Sequence, residues 1–351
     1  MKTILALLYL MEPQPPKEEP LGEKEETAPE GIINSIIRFI KGIFIKDSDD
    51  SIKPEKSCPE TKGFFLKRDL LLGDVELLSL SLPYTLKEII ELDEKKQNKI
   101  NSFIENTVSD NASKYVMIPP AVRGVQCFSE FLSKSPGEKL KKALIPDLLD
   151  LIYKKRGVKL GEMEVVIISG GNYEDLSYVL KEMSTELRYV TVISNDPESI
   201  KDILDQVYEE AGLSIGVTAS CETLIKRADI IINLGSLDGS AINARNNKAL
   251  ILNCGPLFSE GRSFIGNLVV NGIEIRLPEE IENKVSKEVR LLHDSCSLAD
   301  AVISLMVLED GGNMDLLQNM ALYFRKEGYN IKGILGRHAK IKICDLPSYN
   351  K

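Results

Sequence analysis

The stretch EVVIISGGNYEDLSYVLKEM, residues 164–183, decides the fold. Val165, Val166, Ile167 and Ile168 form an apolar run with no polar alternation, which is how a strand buried on both faces reads. The turn Ser169-Gly170-Gly171-Asn172 follows, and Leu176, Val179, Leu180, Met183 and Leu187 then recur at helical spacing. A buried strand that turns directly into an amphipathic helix opens a parallel βαβ unit.

The pattern repeats downstream. YVTVI (residues 189–193) is a second strand, and Asn195-Asp196-Pro197 supplies a cap and a first-turn proline for a helix reaching Ala211, where Gly212 stops it. LSIGV (213–217), ADIII (228–232) and ALILN (249–253) are three more short apolar strands. Strands alternating with helices at this spacing predict a parallel sheet covered on both faces. LVVNGIEIRL (268–277) places Asn271-Gly272 between two apolar runs, which predicts a hairpin added antiparallel at the sheet edge.

Outward from this domain, the 351 residues suit two domains. Residues 1–11 read as a buried strand. The run after Met1-Lys2 lacks a small-x-small cleavage site, meets Glu12-Pro13, and is far below the roughly 20 residues that span a bilayer. Residues 12–62, rich in Glu and Pro, predict a disordered insertion. Within it, Ile32, Ile33, Ile36, Ile37, Ile40, Ile43 and Phe44 share a helical stripe opposed by Asn34, Arg38, Lys41 and Lys46. Residues 31–46 therefore predict a basic amphipathic helix. It would attach to an anionic membrane surface or a partner's groove, or else pack on the protein's own core.

Residues 63–136 predict a small α/β domain with a strand VELLSLSL (75–82), the capping box Thr85-Leu86-Lys87-Glu88 opening a helix, and a strand in KYVMIPP (114–120). A connecting helix over 137–157 ends at Gly157, the Rossmann-like domain occupies 158–285, and helices and a tail fill 286–351, with apolar stripes in SLADAVISLMVLED (297–310) and MDLLQNMALYFRKEG (314–328). Core packing or contact in a homo-oligomer explains these two helices without chemistry.

With 43% hydrophobic and 28% charged residues the chain is of globular composition, and a net charge of -9 excludes general affinity for nucleic acid. The six cysteines lie far apart with no CxxC pair and no histidine at ligand spacing, which argues against a metal site and for reduced thiols in a cytoplasmic protein, or one peripheral at a membrane. The two histidines, His293 near a helix boundary and His338 in GRHAKIK, read as surface residues.

A dinucleotide-binding turn has the pattern GxGxxG, with the pyrophosphate seated at the helix N-terminus. Aligned to it, Ser169 stands at the first glycine, Gly171 at the second and Glu174 at the third. Glu174 and Asp175 complement the helix dipole but repel a diphosphate. Beyond the second strand, where an acid would hold a ribose, the chain offers Ser194, Asn195 and Asp196, the last two being simpler as helix caps. The candidate cofactor positions here are Ser169, Gly170, Gly171, Asn172, Ser194 and Asn195.

ADIIINLGSLDG (228–239) followed by ALILNCGP (249–256) resembles the fourth and fifth strands of the NAD(P) domain of shikimate dehydrogenases and glutamyl-tRNA reductases. The order of a smaller domain, connecting helix, Rossmann domain and C-terminal helices is similar too, over about residues 137–310. The resemblance implies an α/β fold with a doubly wound, Rossmann-like parallel sheet, a smaller N-terminal α/β domain and C-terminal helices packing back. It also implies that Asn233, Gly235, Ser236, Asn253 and Gly255 border a nicotinamide of NAD or NADP. Neither the lysine and aspartate motifs of the first family nor the cysteine setting of the second is present. Cys127, in VRGVQCFSEF, reads more simply as a core residue, and Cys254 as a packed turn residue that a ligand could meet. Two functions follow: a Rossmann-like module binding a small ligand or nucleotide with no evident catalytic apparatus, or an NAD(P)-dependent oxidoreductase with substrate in an interdomain cleft.

Overall fold

The computed structural model describes residues 2–9, 65–132, 136–219, 222–235, 249–255, 268–307, 315–336 and 340–346. The amphipathic stretch 31–46, the segments flanking it, Ser236 and His338 lie outside the described residues. The chain divides into two units, residues 1–135 with 283–293 and residues 136–282 with 294–351.

In the first unit, numbering in chain order, come β1 (Lys2–Tyr9), β2 (Phe65–Leu72), β3 (Val75–Leu82), α1 (Leu86–Glu91), α2 (Glu94–Asp110) and β4 (Ser113–Met117), the strands forming a four-stranded sheet of order β2-β3-β1-β4. The apolar start of the chain is a central strand, parallel to both β3 and β4, with Ile4 and Ala6 fully buried. The sequence gives little sign of β2, because Lys67, Arg68 and Asp69 interrupt its apolar residues. It is an edge strand, where charged side chains are tolerated. The expected capping box is present: Glu88 N donates to Thr85 Oγ1 at 3.2 Å, and Thr85 N donates to the Glu88 carboxylate at 2.6 Å. The helix it opens is short, however, because Asp93 starts a new one by accepting from Lys96 N at 2.9 Å.

In the second unit, the expected connecting helix is two. α3 (Glu138–Ala143) ends at Leu144, and α4 (Ile145–Arg156) restarts there with Pro146 in its first turn and ends at Gly157, φ +71°. Next come β5 (Glu164–Ile168), α5 (Tyr173–Met183), β6 (Tyr189–Ile193), α6 (Lys201–Ala211), β7 (Ile215–Thr218), β8 (Ile230–Asn233), β9 (Leu250–Asn253) and β10 (Leu268–Val270). These strands make one parallel six-stranded sheet of order β10-β9-β8-β5-β6-β7. Numbered within the sheet, that is 3-2-1-4-5-6 read from β7, the Rossmann-like doubly wound order.

The hairpin at Asn271-Gly272 is absent. β10 pairs in parallel with β9, whereas β11 (Gly272–Arg276) pairs antiparallel with β12 (Asn330–Leu335), which in turn pairs with β13 (Lys340–Lys342) in a separate sheet. The chain changes sheets at Gly272 rather than reversing there. A Cβ on Gly272 would stand 3.1 Å from Leu335 Cδ1, so the glycine serves a close approach and not a turn.

α7 (Lys287–Leu292) belongs to the first unit, and His293, which follows it as the C-cap, is buried at 7% exposure rather than on the surface. α8 (Ser295–Val307) and α9 (Leu316–Lys326) pack back onto the second unit, α8 on α3 and β11, α9 on α3 and α5. α8 carries more than a stripe: nearly every residue from Cys296 to Leu305 is buried, as in a helix surrounded by protein. Its buried acid Asp300 accepts from Leu140 N at 2.8 Å and from Ser304 Oγ at 3.0 Å, so α8 caps the start of α3. Arg325 on α9 grips Asp147 on α4 through two contacts of 2.9 and 2.8 Å.

Candidate functional site

In an open parallel sheet the loops at the carboxyl ends of the strands splay apart and leave a crevice where the winding reverses, here between β5 and β8. The described candidate positions all lie along that edge. Pairing runs one residue past the strands: Ser169 N donates to Ile193 O at 2.9 Å, Leu234 N to Ile168 O at 3.0 Å, and Cys254 N to Asn233 O at 2.8 Å. The three loops therefore start at one level.

Glycines make that shared level possible. A Cβ on Gly170 would collide with the backbone of Leu234 and Gly235, one on Gly235 with Gly170 and Ser169, and one on Gly255 with the Gly235 carbonyl. Close approach to the neighbouring backbone thus belongs to Gly170, which faces Leu234 and Gly235. Gly171 is needed for its left-handed backbone, φ +77°, and has open space where a Cβ would be.

At the start of α5 the turn is closed on itself. Ser169 Oγ accepts from Gly171 N at 3.4 Å, and Asn172 Oδ1, the N-cap, accepts from Glu174 N at 3.1 Å. Tyr173 reaches across to the next loop, its hydroxyl 2.7 Å from Ser199 Oγ, and Ser199 donates to Asp196 O at 2.8 Å. Asp196 also caps the turn at Ser199 N, Ser194 is buried, and Asn195 is exposed. Glu174 is exposed, while Asp175 is buried and paired with Lys142 of α3 at 2.6 Å. Self-capped amides, two carboxylates in the first turn and a side-chain bridge between the β5 and β6 loops do not fit a pyrophosphate.

The other half of the edge is built differently. Asn233 and Asn253 are register partners on β8 and β9, 0% and 1% exposed, and Asn271 follows Val270, the partner of Leu252. The register therefore sets three asparagines side by side. Gly235 N donates to Asn233 Oδ1 at 3.2 Å, Asn233 Nδ2 to Asn253 Oδ1 at 2.8 Å, and Asn253 Nδ2 to Asn271 Oδ1 at 3.3 Å. Buried amides cost stability unless paired, so this relay is a specified feature of an otherwise aliphatic sheet. The sequence does carry a signal for it, in IIIN (230–233), LILN (250–253) and LVVN (268–271), three apolar triplets each closed by asparagine. Reading Asn271 as a turn residue hid the third member.

Both candidate thiols are buried. Burial pushes Cys127, in the core of the first unit beside Phe128 and Phe131, up to about 11. Burial also pushes Cys254 up to about 11, the nearby Lys141 ammonium offsetting part of the effect. Neither is a thiolate at neutral pH. A cleft of about 530 Å³ opens at the opposite, amino end of the sheet, between residues leading into β5 and β6 and lined by Tyr153, Lys159 and Arg188 among others. Ligands of doubly wound sheets occupy the carboxyl edge instead. Among the described residues no group of three or more His, Cys, Asp or Glu is arranged to hold a metal ion, and no helix is long and apolar enough to cross a membrane.

Sheet order and edge together define a Rossmann-like α/β fold. No protein-family model and no curated protein sequence matches the chain. Among solved structures, the iminosuccinate reductase of Paracoccus denitrificans in complex with NAD+ is 19% identical with a TM-score of 0.26, the match covering 33% of this chain and 36% of that one. L-tryptophan dehydrogenase from Nostoc punctiforme is 14% identical with a TM-score of 0.30, over 70% and 67% of the two chains. Ornithine carbamoyltransferase from Gloeobacter violaceus is 10% identical with a TM-score of 0.29, over 85% of each. The chain thus spans about a third of the length of the reductase it matches.

Proposed function

We propose that the second unit is a Rossmann-like module that binds a small molecule at the carboxyl ends of β8, β9 and β10, and that it does not use the β5–α5 turn to hold a dinucleotide. The Asn233–Asn253–Asn271 relay, buried at Asn233 and Asn253 and half-buried at Asn271, carries this reading. It invests three asparagines in holding the Gly235 backbone at the edge where doubly wound sheets take their ligands. The self-capped turn ahead of α5 supports the second half of the reading, and the protonated, buried thiols offer no nucleophile.

An NAD(P)-dependent oxidoreductase of the shikimate dehydrogenase-like type is the competing reading, favoured by the strand order and by the positions of Asn233, Gly235, Asn253 and Gly255. Calorimetric titration of the full chain with NADH, NADPH, AMP, nicotinamide and pyruvate separates the two. We expect heat from one of the three smaller molecules and none from either dinucleotide at millimolar concentration. Saturable binding of NADH or NADPH would sink our reading in favour of the oxidoreductase, and silence from all five probes would remove both.

A further inference from the structure

The relay has a direction that its first hydrogen bond sets. A backbone N–H can only donate, so the Asn233 atom 3.2 Å from Gly235 N is oxygen and the other end of that amide is NH2. That NH2 faces Asn253 across 2.8 Å, which makes the atom it meets an oxygen, and the same logic carries over 3.3 Å to Asn271. Three amides are therefore aligned head to tail, and the last group in the row is the NH2 of Asn271, a half-buried residue at the carboxyl end of β10. Aligned amides polarise one another, so the terminal N–H groups are the strongest donors of the row.

We infer that Asn271 is a ligand-binding residue whose side-chain NH2, polarised by the amide relay from Gly235, hydrogen-bonds a carboxylate or carboxamide oxygen of the small molecule held at this edge. The inference rests on the proposed binding function and names the chemistry its ligand must present. A donor-only ligand such as an alkylammonium has nothing to offer that group. An acceptor oxygen satisfies it, and a carboxylate does so more strongly because the acceptor is charged.

The two roles of Asn271 come apart in Asn271→Asp. The aspartate still accepts from Asn253 Nδ2, so the relay stays satisfied, but the terminal donor is gone and an anion replaces it. Asn271→Leu loses both roles. In the full chain, the side-chain NH2 resonance of Asn271 is followed during titration with pyruvate, nicotinamide and methylammonium, alongside the backbone amides of Gly235 and Gly255.

We expect the Asn271 signal to move with pyruvate or nicotinamide and not with methylammonium. Pyruvate alone assigns a carboxylate ligand, and nicotinamide alone a carboxamide. Asn271→Asp should weaken the active probe by about tenfold or more, with its unfolding midpoint close to that of the parent chain. If the Gly235 and Gly255 amides move while Asn271 stays still, or if Asn271→Asp binds like the parent, the inference is overturned and the binding function stands. If no amide of this edge responds to any probe, the binding function itself fails.

Discussion

Asn233 Nδ2 donates to Asn253 Oδ1 across 2.8 Å between register partners on β8 and β9, and both residues are buried. Asn233→Leu removes the acceptor of Gly235 N and the donor for Asn253 Oδ1, leaving two buried groups unpaired. A loss of roughly 2–3 kcal/mol in unfolding free energy is expected. Asn253→Leu should cost a similar amount, but the double variant should lose less than the sum, because two apolar side chains then face each other. Urea unfolding of the four proteins measures the coupling, and strict additivity would show that the two amides do not act as a unit.

The α/β architecture of the second unit was legible because periodicity survives without context. Val165–Ile168 and the Leu176, Val179, Leu180, Met183 face behave as the pattern demands. What escaped was set by tertiary pairing. The strand β2 has an apolar content diluted by edge charges, and β12 and β13 pair with β11 in a separate sheet that the chain enters after β10. Asn271-Gly272 has the composition of a hairpin turn, and nothing local distinguishes a chain that reverses from one that changes sheets.

The site was legible in position and not in role. Strand ends locate Asn233 and Asn253, but their joining depends on register. The motif alignment likewise singles out Gly171, whereas the glycine that faces the neighbouring backbone is Gly170.

That distinction ranks two alanine substitutions. Gly171→Ala meets no atom within 4 Å and suffers only its left-handed φ of +77°, a strain of about 1 kcal/mol. Gly255→Ala forces its methyl into the Gly235 carbonyl and toward Asn233 Nδ2 at 3.0 Å, so backbone must move and the relay with it. The second variant should melt well below the first. Thermal denaturation decides the order, and equal melting points would show that the β8 and β9 loops are not in tight contact.

Burial also predicts which thiols are inert. Burial, which would desolvate their thiolates, pushes Cys127 and Cys254 up to about 11 and holds Cys296 well above the ordinary thiol value. Alkylation of the native chain with iodoacetamide near pH 8, mapped by mass spectrometry, should leave all three unmodified, and all three should react once the chain is unfolded in denaturant. Rapid native labelling of Cys254 would place a thiol within reach of solvent at the carboxyl edge and reopen a chemical role for it.

Asp300 links folding to pH. Burial raises its carboxyl above the ordinary value, against the hydrogen bonds it accepts from Leu140 N, Gly137 N and Ser304 Oγ and the positive charge of Lys139. The folded chain therefore holds this proton more tightly than the unfolded one, which releases it near pH 4. Between those two values the folded state carries the extra proton, so this residue's contribution to stability is fully present below the unfolded value. It declines as pH rises through the folded one. Asp300→Asn keeps one acceptor oxygen and cannot ionise. Its melting temperature should consequently decline less than that of the parent as pH rises from about 4 toward neutrality, whatever the offset between the two curves. Parallel curves across that range would show that Asp300 is ionised in the folded chain at all of these pH values, with the Leu140 and Ser304 hydrogen bonds outweighing its burial.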